Sequence, residues 1–324
     1  IAQNSMYLLG DSYLKLGNKS GARNAFLFCS LNSTDKQQKE VSKFNYGKLS
    51  VELGYTDVAL TELRGFVSAY PNSEYATEAK ELLVNVLSNT NNYADALNLI
   101  ESLQSQSEIV KKAYPKILYG RSVELINDQQ ISKADDLLNR LFIVDYNESY
   151  LTYANFWKGE IAYRTNEYDS AVYYLQGYLK NPSTYGEVSA LHARYTLGYA
   201  YLRQQDYDDA LKSFQQVATS INNNSQALQA DAYLREADCY FMQKKFSTAL
   251  QMYETVINDK LPSSDYALYQ KAVIAGANGD YTQKVSLLQS IQSRSPSSAL
   301  VADVSMEVAN TSLASAQYDA AITP

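Results

Sequence analysis

The sequence predicts an all-α protein, an α-solenoid in which about nine helical hairpins stack into a right-handed superhelix. Three observations in the 324 residues carry that prediction. One phrase of small and aromatic residues recurs from end to end, a turn-forming residue follows it at a fixed distance, and prolines collect where one copy gives way to the next.

The phrase is plainest at Leu197-Gly198-Tyr199-Ala200-Tyr201, then Tyr207-Asp208-Asp209-Ala210, then Phe214. It returns as Gly159, Ala171 and Leu175, as Gly10, Ala22 and Phe26, and as Gly47, Ala59 and Leu63. Glycine to alanine is 12 residues in all four copies. Aligned on the alanine, repeats start near residues 3, 40, 77, 115, 152, 191, 230, 265 and 302, a single array over 3–324. This pattern resembles the tetratricopeptide repeat, with its Leu-Gly, Tyr, Ala, Phe and Pro at set offsets. Two features depart from that family. The steps run from 35 to 39 residues instead of 34, and Val84, Ser122 and Ala272 replace the glycine in repeats three, four and eight. Since the glycine-to-alanine distance is constant, the extra residues are expected late in the second helix or between repeats.

Small residues are expected where the two helices of a hairpin cross, because they let the axes approach. Tyr201, Phe214, Tyr240 and Tyr253 are expected to fill the space between hairpins. Seven residues after the glycine position stand Gly17, Gly54, Asn91, Asn166 and Gly279, which tolerate a left-handed helix stop. An aromatic or apolar residue follows at Tyr93, Ile131, Tyr168, Tyr207, Phe246, Tyr281 and Tyr318. Ser132, Asp169, Asp208, Ser247, Thr282 and Asp319 come next and read as N-caps. Pro71, Pro182, Pro262 and Pro296 fall at junctions, Pro115 at a first helical position and Pro324 at the end, so no helix interior is expected to hold one. Repeat one starts within two residues of Ile1 and repeat nine stops just past Tyr318, so the sequence is expected to be a piece of a longer protein.

Composition narrows the function. Hydrophobic residues are 46%, enough for a core, and the formal charge is −7. No Lys/Arg run offers the basic stripe that nucleic acid requires, and no run of 18 apolar residues could span a membrane. Cys29 and Cys239 lie too far apart in a solenoid to meet, and read as buried thiols. The single histidine, His192, has no Cys or Ser arranged with it for catalysis. No motif for a nucleophile, zinc or nucleotide phosphate is present, so neither an enzyme nor a cofactor is expected. The pairs Asp135-Asp136 and Asp208-Asp209 are expected in the first turn of second helices, complementing the helix dipole.

In the tetratricopeptide family the first helices line a concave groove. Carrying over those offsets places Tyr119 in repeat four and Tyr153, Phe156, Trp157, Glu160, Tyr163 and Arg164 in repeat five. It adds His192, Tyr195, Tyr199 and Arg203 in repeat six, and Asp231, Leu234, Arg235, Asp238 and Phe241 in repeat seven. Aromatic residues with arginine are the usual composition of interface hot spots. The resemblance therefore implies a protein or peptide partner, with packing of the tyrosines on one another as the alternative. The family's clamp for a C-terminal carboxylate is absent: Tyr7, Asp11, Phe44 and Lys48 stand at its positions in the first two repeats. Nothing in the sequence sets an oligomeric state.

The stretch Ala69-Tyr70-Pro71-Asn72-Ser73-Glu74-Tyr75-Ala76 resembles the repeat junction of bacterial envelope tetratricopeptide proteins, of the outer-membrane assembly lipoprotein and periplasmic coordinator types. That resemblance implies a scaffold in assembly of a cell-envelope complex, in the periplasm or at the outer membrane of a Gram-negative bacterium, with the cytoplasm as the alternative. Two further alternatives are a docking or regulatory domain of a larger enzyme and a carbohydrate-binding surface protein.

Overall fold

A computed structural model describes residues 2–220 and 226–314. It is all-α, and the described residues form no strand; Tyr185 and Val188 make an isolated bridge. The chain divides into two units, residues 1–154 and 155–324. Unit 1 holds four hairpins: α1 (Ala2–Lys15) with α2 (Lys19–Asn32), α3 (Lys36–Glu52) with α4 (Thr56–Ala69), α5 (Ala76–Asn89) with α6 (Tyr93–Glu101), and α7 (Glu108–Asn127) with α8 (Ile131–Leu141). The division falls within α9 (Glu148–Arg164). Unit 2 continues with α10 (Tyr168–Leu179), α11 (Ala190–Arg203), α12 (Tyr207–Ala218), α13 (Gln226–Met242), α14 (Phe246–Asn258), α15 (Ser264–Ala277), α16 (Tyr281–Arg294) and α17 (Val301–Ala314). The helix start expected at Tyr318 with Asp319, and Pro324, lie outside the described residues.

Among the described residues each hairpin turns in three residues, and the middle one is left-handed in all eight. Gly17, Gly54, Asn91, Asn166 and Gly279 take that place as expected, and so do Gln129, Gln205 and Lys244. The next backbone N–H reaches back to close the first helix, as in Asp206 N–H to Tyr201 O at 2.9 Å and Asn18 N–H to Tyr13 O at 2.8 Å. This closure satisfies a helix-end carbonyl. It also corrects the expected N-caps: the cap is the residue that donates this bond, one before the aromatic. Asn18, Asp206 and Asp280 cap with their side chains. Ser132, Asp169, Asp208, Ser247 and Thr282 are therefore second helical residues. Two of them tie hairpin to hairpin: Gln204 donates to Asp169 at 2.6 Å, and Gln243 to Asp208 at 2.9 Å.

The links between hairpins vary, from 33–35 after α2 to 180–189 after α10, so the extra repeat length sits there. Pro71, Pro182, Pro262 and Pro296 fall in such links. Pro115 does not mark a helix start. Helix α7 begins earlier, capped by Ser107, and Pro115 lies inside it. A proline there removes the bond to the Lys111 carbonyl and costs about 3 kcal/mol. Burial of Val110 and Tyr114 in the added turns, and the bond from Tyr146 to Glu108 at 2.5 Å, offset that cost. Asp135-Asp136 is likewise displaced, because α8 starts at Ile131 and holds no acid in its first turn; Asp208-Asp209 does sit in the first turn of α12.

The core follows the repeat. Ala22, Ala59, Ala96, Ala134, Ala171, Ala210 and Ala249 are wholly buried, as are Leu63, Leu175 and Phe214. At the crossings a Cβ on Gly159 would lie 2.5 Å from Leu175 Cγ and 3.2 Å from its backbone nitrogen; one on Gly198 would lie 2.8 Å from the Phe214 ring. Cys29 and Cys239 are buried free thiols, and burial pushes the Cys239 thiol up to about 12. Gly159→Val should therefore lower unfolding stability by about 1–3 kcal/mol, because the backbone of α10 cannot retreat as a side chain could; urea denaturation followed by circular dichroism measures it.

Candidate functional site

The first helices of unit 2 carry a connected polar network. Tyr195 and Tyr199 stand one turn apart on α11, and both hydroxyls donate to Asp231 Oδ2 on α13, at 2.7 and 2.6 Å. One turn along, Arg235 reaches Asp231 Oδ1 at 3.4 Å and pairs with Asp238 on its other side. Asp238 also accepts from Tyr253 of α14 at 2.6 Å and from Tyr266 of α15 at 3.3 Å. The Arg235 guanidinium lies 4.9 Å from the Tyr266 ring centre. Helical spacing puts Asp231, Arg235 and Asp238 on one face.

Charge inside this network is fixed by mutual support. Burial alone would lower the Arg235 pKa, but Asp238 and Asp231 outweigh it and hold the guanidinium above its usual range. Burial pushes the Tyr195 phenol up to about 12 and Tyr199 higher still, with Asp231 adding to both, so the two remain hydrogen-bond donors. A charge pair so enclosed repays its desolvation only when its remaining bonds are made. The four tyrosines make those of the two carboxylates, while the Arg235 Nε is buried with no hydrogen-bond partner.

The other expected groove residues divide by depth. Tyr119 and Tyr153, in unit 1, pack with ring centres 5.6 Å apart, and Tyr119 is buried. Phe156 and Trp157 are only 2% and 4% exposed, so they cannot serve as groove anchors. They meet edge to face at 5.2 Å, and Phe156 packs on Tyr178 at 5.4 Å, so both expected groove residues lie in the core. Glu160 has a buried carboxyl oxygen, Oε1, with no hydrogen-bond partner, and burial raises its pKa against the opposing influence of Thr196 and Arg164. Tyr163 is half-buried beside Tyr199, ring centres 6.4 Å apart. Exposed His192 stands in the first turn of α11, its Nδ1 2.8 Å from the capping Ser189 hydroxyl. Arg164 and Arg203 are exposed at the ends of α9 and α11.

Sequence reasoning missed Tyr253 and Tyr266 as members of the network. The available signal was the polar face of α13, whose buried Asp238 needs more donors than Arg235 supplies. Among the described residues, no group of three or more His, Cys, Asp or Glu is placed to hold a metal, and no helix is long and apolar enough to cross a membrane.

Models of the tetratricopeptide repeat match residues 4–27, 188–259 and 266–298. These segments are similar to the tetratricopeptide repeat, and such repeats generally mediate protein–protein interactions. The apo form of RapI is 13% identical, covering 87% of this chain and 96% of its own, with a TM-score of 0.51, which shows a shared fold. A tetratricopeptide repeat protein from Parabacteroides merdae is 13% identical over 94% of this chain and 97% of its own, with a TM-score of 0.36. YrrB, a tetratricopeptide protein with an unusual peptide-binding site, is 19% identical over 63% of this chain and 96% of its own, with a TM-score of 0.45. A comparison with curated proteins finds no match.

Phe156→Ala and Trp157→Ala should each cost about 3–5 kcal/mol of stability, the range for emptying a buried aromatic site; equal denaturant midpoints for variant and wild type would place these rings on the surface after all. A second expectation concerns Glu236 on α13, which is 6% exposed and whose carboxyl burial pushes up to about 7 from 4.5, against the opposing hydrogen bond with Gln215. Because the folded value lies above the unfolded one, this group's contribution is fully present below pH 4.5 and is lost as pH rises through 7. Glu236→Gln should therefore raise the Tm relative to wild type at pH 8 and converge with it near pH 4, measured by thermal melts across that range.

Proposed function

We propose that the chain is a protein- or peptide-binding scaffold whose binding surface is the first-helix face of unit 2. The observation that carries this reading is the network of Tyr195, Tyr199, Asp231, Arg235 and Asp238, which fixes α11 and α13 before any partner arrives. A surface held in one conformation loses less entropy on binding. The side chains that remain exposed along it, Arg164, Arg203 and Met242, stand at equivalent places on successive first helices. Repeats of this family support the reading in general terms.

The scaffold is further proposed to act in assembly of a cell-envelope complex, in the periplasm or at the outer membrane. The junction from Ala69 to Ala76 supports this by its likeness to envelope tetratricopeptide proteins. There Tyr75 stacks on Phe44 at 4.8 Å and Tyr70 packs at a tilt against Phe66 at 5.2 Å, which gives the phrase a packing role as well. A full-length gene without a signal sequence or lipobox would remove the envelope part and leave the scaffold.

A photo-crosslinking residue tests the surface directly. Placed at Met242, it should give a discrete adduct in an extract of the native organism. Placed at Tyr173, which is 70% exposed on the second helix α10, it should give none. Equal labelling at both positions, or none at either, would sink the proposal.

A further inference from the structure

The sign of the charge left free on the face of unit 2 points to the chemistry of its partner. The chain carries −7 overall, yet the acids of this face are hydrogen-bonded or turned inward. Asp231 and Asp238 accept from four tyrosine hydroxyls and from Arg235. Glu160 is turned inward, with its Oε1 buried. Beyond the helix ends, Glu167 accepts from Thr165 at 3.3 Å and Asp169 from Gln204 at 2.6 Å, inside a cleft of about 430 Å³ at the hairpin tips. Arg164 and Arg203, by contrast, are exposed, and among the described residues neither forms an ion pair.

The two arginines stand 39 residues apart in the last turns of α9 and α11, and Met242 follows 39 residues later at the end of α13. Just inside them, Tyr163, Leu202 and Phe241 are half-buried. The track therefore reads cation, cation, thioether, one per hairpin, over an apolar floor. The Tyr163–Tyr199 contact shows that α9 and α11 lie side by side. Packed helices are about 8–10 Å apart, and an extended chain advances about 3.3–3.6 Å per residue, so one hairpin corresponds to three residues of an extended partner.

We infer that this face takes an extended acidic segment with carboxylates three residues apart, one on Arg164 and one on Arg203, followed after three more residues by an apolar side chain over Phe241 and Met242. Each guanidinium presents a planar fork of donors that matches a carboxylate. An arginine in a last helical turn also favours the helix dipole, but that role leaves the fork facing solvent and available. The inference rests on the protein-binding reading and names its ligand.

The probe is a fluorescein-labelled peptide with Glu, Glu and Leu at every third position and Ser between, titrated with the full chain by anisotropy. Binding should saturate, weaken with salt, and fall at least about tenfold in Arg164→Glu and in Arg203→Glu, in line with loss of a charge-assisted bond. Both variants should stay folded at the temperature of the titration, with a melt lowered only by the lost helix-end charge, since both side chains are exposed. A peptide with its two Glu adjacent should bind more weakly, and one with Lys for Glu should not bind. No binding of the spaced peptide, equal binding by the variants, or preference for the Lys peptide would overturn the inference; in the second case the arginines serve only their helix ends. If the Met242 crosslink survives while the peptide fails, the ligand class is wrong and the binding face stands; loss of both removes the face itself.

Discussion

Every other feature of the structure depends on how closely the two helices of a hairpin cross. At each crossing one residue of the first helix stands sixteen positions before one of the second: Gly10 and Phe26, Gly47 and Leu63, Gly159 and Leu175, Gly198 and Phe214. Where glycine is replaced the register persists. Buried Ala237 stands in register with Tyr253, Ser122 with Leu138, and Val84 with Ile100. Because the crossing distance is fixed, the turn that joins the helices must be three residues long, and a turn that short closes only through a left-handed residue.

That constraint explains which parts of the fold were legible in the sequence. Gly17, Asn91 and Gly279 announce a left-handed stop by residue type. Gln205 and Lys244 do not, and they adopt it because the crossing demands it. The aromatic or apolar residues expected after six of the turns, Tyr93, Ile131, Tyr168, Tyr207, Phe246 and Tyr281, do begin helices, but the cap lay one residue earlier, where the returning N–H bond had already fixed the backbone. Pro115 misled for a related reason. Repeat spacing locates the part of α7 that crosses α8, and says nothing of turns added in front of it.

Which residues share a face was legible, and their depth was not. Family offsets put Tyr195, Tyr199 and Arg235 together, as their shared network with Asp231 requires, since helical period alone decides a face. The same offsets put Phe156 and Trp157 there too, yet Tyr178 and the chain around it cover them. Depth depends on what neighbouring elements bring to the same place, and offsets within one repeat hold no record of it. Tyr253 and Tyr266 escaped for the same reason: each lies on a different helix from the acid it serves.

The network links stability to recognition through charge. Enclosing two carboxylates with one guanidinium leaves a surplus negative charge that an apolar surrounding would reject. Tyrosine is suited to settle it, because a phenol donates strongly while its ring fills the space between hairpins. Asp231 holds α11 to α13, and Asp238 holds α13 to α14 and α15, so the acids of this face are committed to stacking. Such a carboxylate has its lone pairs directed at protein donors, whereas a solvated arginine at a helix end directs its own donors outward. The interactions that hold hairpins six to eight together thereby turn the acids inward, and on the proposed reading it is the exposed Arg164 and Arg203 that meet a partner.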